Sequence, residues 1–169
     1  FKIDMSDDYL VNKVRGQHAF QISLALKAVD LLKNKKNLNI VDIGDSSGTH
    51  ITYLKSILSK GSFENLRTLS VDIDPVAVKK IKDKGLDAIC CRAEELHLIS
   101  DGVEADLFLM YEALEHFFNP IGFLHDMSVK SKCEYFVITI PYVKNSRVGL
   151  HQLRHNSERV MNAESTHIF

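Results

Sequence analysis

Between Leu38 and Ile140 the chain alternates short apolar runs with stretches patterned as helices, and this alternation limits the fold more than any other feature. The runs are Leu38–Ile43, Leu69–Asp72, Ala88–Cys91, Asp106–Tyr111 and Tyr135–Ile140. Several are apolar on both alternating faces, as strands of a parallel sheet covered on both sides must be. Helical spacing fills the gaps: Ile51, Leu54, Ile57 and Leu58 mark one helix, Val78 and Ile81 a second, and residues 120–129 a third. Pro75, Pro120 and Pro141 each fall at a boundary, where proline is tolerated. A further helix is predicted over residues 10–33, with Phe20, Leu24, Ala28 and Leu31 as its apolar stripe. Right-handed crossovers then predict an α/β fold with a doubly wound, mostly parallel sheet in strand order 3-2-1-4-5.

The 169 residues fit one domain. Its parts are a helical segment (1–36), a ligand-binding core (37–141) and a closing loop (142–169). With 45% hydrophobic and 25% charged residues, whole-chain disorder is excluded. Lys and Arg number 21 against 22 Asp and Glu, so no global field points to nucleic acid or an anionic membrane. No apolar stretch reaches the roughly 18 residues of a membrane span. Cys90, Cys91 and Cys133 cannot build a disulfide framework and read as reduced, mostly buried thiols of a cytoplasmic protein. The first residues lack a signal-peptide layout, and the missing initiator Met reads as a trimmed chain.

Ligands of such sheets bind beyond the carboxyl ends of the strands, so the residues following each run carry the functional reading. After the first stands Asp42-Ile43-Gly44-Asp45-Ser46-Ser47-Gly48, a small-residue loop feeding a helix start. The dinucleotide fingerprint G-x-G-x-x-G is absent, and a carboxylate at Asp42 suits a ligand with a cationic group better than a pyrophosphate. After the second run, Asp72 is placed to accept both hydroxyls of a ribose, while Asp74 before Pro75 reads as a helix cap.

These segments resemble the class I S-adenosylmethionine-dependent methyltransferases, which are Rossmann-like. The resemblance rests on Val41–Gly48, Ser70–Pro75, Arg92–Leu96 and Tyr111–His116 in that order, with Ile138–Pro141 similar to the family's fifth strand. It implies that Asp42, Gly44, Ser46 and Gly48 surround the methionine end of the cofactor. Asp72 and Ile73 would meet the ribose, Ala93 and Glu94 the adenine, and Tyr111 and Glu112 the sulfonium. Ser46 departs from the glycine usual at its position, and Arg92 from a common Asp. The family fold has seven strands, of which five are counted here, so the C-terminal strands are read as missing.

Glu112, Glu115 and His116 stand at i, i+3 and i+4, and on a helix they would share one face. The segment resembles the E-x-x-E-H of ubiquinone-biosynthesis (type 11-like) O-methyltransferases and small-RNA 2′-O-methyltransferases. That likeness implies a divalent metal ion, with His167 as a fourth ligand. Without a metal, His116 is the expected general base for a hydroxyl acceptor. His50 reads as a helix-start residue, and His18, His97 and His125 lack ligand spacing. The basic residues Lys144, Arg147, Arg154 and Arg159 read as a solvated loop toward the acceptor site. The expectation is methyl transfer to a hydroxyl of a small-molecule or sugar-like acceptor, with nucleic acid disfavoured. The alternatives are a nicotinamide-dinucleotide-binding protein and a non-catalytic cofactor-binding module.

Overall fold

Five strands form one parallel sheet in the order β3-β2-β1-β4-β5 in the computed structural model, which describes residues 6–61, 63–99 and 103–141. The strands are β1 Asn37–Ile43, β2 Asn65–Asp72, β3 Ala88–Cys90, β4 Leu107–Tyr111 and β5 Tyr135–Thr139. Pairing is parallel throughout, with Val41 beside Leu69 on one flank and beside Phe108 on the other. The order reverses between β1 and β4, which places the topological switch point at their carboxyl ends.

Alternation along the central strands divides the core. Leu38 and Ile40 of β1, with Leu107, Leu109 and Tyr111 of β4, pack beneath α1 (Asp8–Leu31) and α2 (Thr49–Leu58). Val41, Ile43, Phe108 and Met110 face the other way, against α4 (Pro120–Lys130) and a 3-10 helix at Ala93–Leu98. A third helix, α3 (Pro75–Asp83), lays Val78 and Ile81 on β3. It starts as its sequence dictates: Pro75 opens it, and the Asp74 side chain accepts from the Val76 N–H at 2.8 Å.

Two sequence expectations need correction here. The buried stripe of α1 is Gln21, Ile22, Ala25, Ala28 and Val29, whereas Phe20 and Leu31 lie 59% and 62% exposed. A polar residue heads the buried face, so an apolar count misplaces the stripe. The cysteines are free but not mostly buried: Cys90 is exposed, and Cys91 and Cys133 are half-buried. The edge strand β3 is only 3 residues long and leaves its end uncovered. No helix among the described residues is long and apolar enough to cross a membrane.

Candidate functional site

A cavity of about 420 Å³ opens at the carboxyl ends of β1, β2 and β3. That is within the usual range for a small-molecule site. Its walls bring together Gly44, Asp72, Ile73, Ala93, Glu94 and His116. Of the remaining sequence-derived candidates, Asp42, Ser46, Gly48, Tyr111 and Glu112 stand outside those walls. For Asp42 and Tyr111 the reason is strand parity: Asp42 follows Ile40, and Tyr111 follows Leu109, onto the α1 side of the sheet.

The loop after β1 is shaped for close approach. Gly44 has φ +83°, and a Cβ built there would sit 3.0 Å from the Ala113 Cβ. Ser46, where the resembled family has glycine, carries φ +38° on a residue with a side chain. Its backbone N–H donates to Asp72 Oδ2 at 3.0 Å, while the Asp74 N–H donates to Oδ1 at 2.8 Å. The Asp72 carboxylate is thereby fixed from two sides, and each oxygen keeps a lone pair for a further donor. Arg92 also lines the cavity and pairs with Glu94 at 3.2 Å, so the departure at Arg92 is matched by a carboxylate in the first turn of the helix it caps.

The geometry does not support the metal expectation: Glu112, Glu115 and His116 do not form a ligand cluster among the described residues. Glu112, the residue after β4, lies in the left-handed region at φ +53°, and its carboxylate accepts from Thr139 Oγ1 at 2.9 Å. The following turn is a 3-10 helix limited to Leu114–His116. Within it Glu115 is buried, while His116 is exposed with Nε2 3.9 Å from Glu115 Oε1. Burial pushes the Glu115 carboxyl up, partly offset by its own backbone and by His116. No α-helix spans the three residues, so they do not share a face. His167 lies outside the described residues, as do Lys144, Arg147, Arg154 and Arg159.

Among the described residues, the ligand-like cluster lies elsewhere, at Asp42, Asp45 and His50. Asp42 is 1% exposed and Asp45 2%. His50 Nδ1 faces Asp42 at 3.2 Å and Asp45 at 3.4 Å. The Ser70 hydroxyl donates to the second Asp45 oxygen at 2.8 Å. Burial by itself would push the His50 pKa down, but the two carboxylates outweigh it and hold it up at about 9. Burial and then Asp45 push Asp42 up, against the pull of His50. The cluster therefore sets an imidazole that holds its proton strongly between two acidic side chains, next to the Gly44–Gly48 loop. His50 stands in the first turn of α2, as expected, but its place in this cluster was not read from the sequence. The available signal was parity, since Asp42 had to face inward toward whatever the next helix supplied.

No family model matches the chain, and no curated protein matches it by sequence. Solved structures do match. The plantazolicin methyltransferase BpumL in complex with SAH is 19% identical over 92% of this chain and 56% of its own, with a TM-score of 0.62. Coclaurine N-methyltransferase bound to N-methylheliamine and SAH is 15% identical over 82% of this chain and 38% of its own, at 0.55. The small RNA methyltransferase HEN1 is 15% identical over 89% of this chain and 19% of its own, at 0.53. The fold is the Rossmann-like fold of these methyltransferases. The chain spans little more than half the length of the first solved structures it matches.

Proposed function

We propose that the chain binds S-adenosylmethionine and transfers its methyl group to a hydroxyl of a small-molecule or sugar-like acceptor. The observation that carries this reading is the cavity that joins Gly44, the doubly held Asp72 and Ala93 at the switch-point side of the sheet. The residues fit such a cofactor. Asp72 accepts from the ribose hydroxyls, with its orientation already set. Ala93, first residue of its 3-10 helix, has an N–H without a partner in that turn and offers it to the adenine. Asp42 Oδ1 is buried and makes no hydrogen bond among the described residues, which suits an ammonium at the methionine end.

The cofactor, when bound, supplies a methyl group on a sulfonium that is already activated for displacement. What remains to the protein is alignment, which can supply about 7–11 kcal/mol. An oxygen acceptor must also lose a proton. His116 lines the cavity, which supports its imidazole as the group that takes that proton. Glu112, next to the cavity-lining Ala113 and held by Thr139, is in this reading the carboxylate that meets the sulfonium. The structural matches act on chemically different acceptors, as their names state, so they favour no acceptor class.

Calorimetry of the purified chain tests the reading. S-adenosylmethionine and its demethylated product should bind, and Asp72→Ala should weaken binding by about 1.5–3 kcal/mol, the scale of hydrogen bonds to a charged group. Binding of a nicotinamide dinucleotide instead would refute it. Cofactor binding without turnover on any hydroxyl acceptor would support a non-catalytic module.

A further inference from the structure

Four elements contribute to one hydrogen-bonded line on the α1 side of the sheet. His50 Nε2, on α2, lies 3.1 Å from Gln21 Oε1, on α1, at hydrogen-bonding distance. Gln21 Nε2 donates to Thr139 Oγ1, at the end of β5, at 3.2 Å. Thr139 Oγ1 donates to Glu112 Oε1, just past β4, at 2.9 Å. Two backbone bonds brace the line: the Tyr111 hydroxyl donates to the Gln21 carbonyl at 2.9 Å, and the Glu112 N–H donates to the Thr139 carbonyl at 2.9 Å.

We propose that His50 is a positioning residue for methyl transfer: through Gln21 and Thr139 it orients the Glu112 carboxylate at the end of β4. The proposal rests on the reading that this site binds S-adenosylmethionine.

The donor inventory makes the line directional. Nδ1 of His50 faces two carboxylates, which favour a proton on that nitrogen. If Nε2 is also protonated, Gln21 must accept with its oxygen and donate with its nitrogen. Thr139 then receives from Gln21 and spends its single proton on Glu112. If Nε2 were bare, the amide would turn over and the hydroxyl proton would leave Glu112 for the amide oxygen. One proton on His50 thus decides whether Glu112 is held.

The groups around His50 keep that proton in place. Asp42 and Asp45 face it from β1 and the following loop. His18 of α1 lies edge-on with ring centroids 5.2 Å apart, and burial and His50 both push its own pKa down. Tyr111 of β4 meets the ring at 4.7 Å, and burial followed by the Asp42 charge pushes its hydroxyl up, so it stays neutral. Glu112 itself is strained at φ +53°, a conformation that persists only where neighbours over-determine it. Thr139 does so with both its carbonyl and its hydroxyl.

The test compares Thr139→Val, which keeps the shape and removes the hydroxyl, with Thr139→Ser, which keeps the hydroxyl. Each full chain is titrated with S-adenosylmethionine and with S-adenosylhomocysteine. A carboxylate held near the sulfur favours the sulfonium over the uncharged thioether. The preference for the methylated form should fall roughly tenfold in Thr139→Val, the scale of a charge-assisted hydrogen bond, and return in Thr139→Ser. An unchanged preference in Thr139→Val with both compounds still bound overturns the proposal. Nitrogen NMR of the unsubstituted, cofactor-free chain at neutral pH should show both ring nitrogens of His50 protonated, and a bare Nε2 overturns it independently. A chain that binds neither compound refutes the cofactor reading, and the proposal falls with it.

Discussion

Gly44→Ala separates two penalties that the loop after β1 combines. The first is backbone strain: at φ +83° an alanine sits in the left-handed region, at about 1–2 kcal/mol. The second is collision: the new Cβ would lie 3.0 Å from the Ala113 Cβ, which has no rotamer to escape into. Overpacking of this kind costs about 1–3 kcal/mol. Together they predict a loss of about 2–5 kcal/mol. Gly85 supplies the reference, because it has φ +73° and nothing within 4 Å of an added Cβ. Gly85→Ala should therefore lose only the strain, about 1–2 kcal/mol. Urea unfolding at constant m-value measures both. Adding Ala113→Gly to Gly44→Ala should recover the collision, seen as a coupling of at least about 1 kcal/mol in the double-mutant cycle. If Gly44→Ala costs no more than Gly85→Ala, or the cycle shows no coupling, the close approach of the β1 loop to Ala113 is refuted. The same contact closes one wall of the cavity, so cofactor affinity should fall with Gly44→Ala and stay unchanged with Gly85→Ala.

Ser46→Gly should stabilise the chain by about 0.5–1 kcal/mol by relieving φ +38°, measured as a higher urea midpoint; a lower midpoint would mean the serine side chain is worth more than the strain. His50 has a folded pKa raised to about 9 from 6.5, so its contribution to stability is complete below pH 6.5 and lost as pH rises through about 9. Denaturation across that window should show a fall of roughly 3–3.5 kcal/mol, about 1.4 kcal/mol per pKa unit, that is missing in His50→Gln. Methyl transfer should survive a chelator and be lost in His116→Ala; abolition by the chelator, with rescue by divalent ion, would overturn the assignment of His116 as base.

The sheet was legible because a parallel strand covered on both faces cannot hide its apolar run. All five runs became strands in the expected order, with boundaries shifted by a few residues. The motif loops were legible for a related reason, since ligands meet such sheets at strand ends. Which side of the sheet each strand-end side chain faces was less so. Asp42 and Tyr111 were assigned to the cofactor by likeness, while their own neighbours Ile40 and Leu109 already fixed them on the α1 side. Gln21 carried no local signal at all. It is a polar residue in the middle of a helix, 2% exposed only because His50 and Thr139 arrive from elsewhere in the chain. The Glu112–Glu115–His116 spacing misled because periodicity presumes an α-helix, whereas the chain leaves β4 through a left-handed residue and a single 3-10 turn.

Strain and its support point to the same place. Among the described residues, Ser46 and Glu112 are the non-glycines with positive φ, and they follow β1 and β4, the two strands between which the sheet reverses. Each is gripped by the next strand outward. Asp72 at the end of β2 accepts from the Ser46 N–H, and Thr139 at the end of β5 holds Glu112 through carbonyl and hydroxyl. Such conformations cost of order 1–3 kcal/mol each and persist where surroundings over-determine them. Packing of the core does not require either one, because the clusters on both faces of the sheet are complete without Ser46 or Glu112. The stability given up at the switch point is therefore best explained by the geometry it maintains there: one carboxylate, Asp72, fixed on the cavity wall, and another, Glu112, fixed against Thr139 on the α1 side of the sheet.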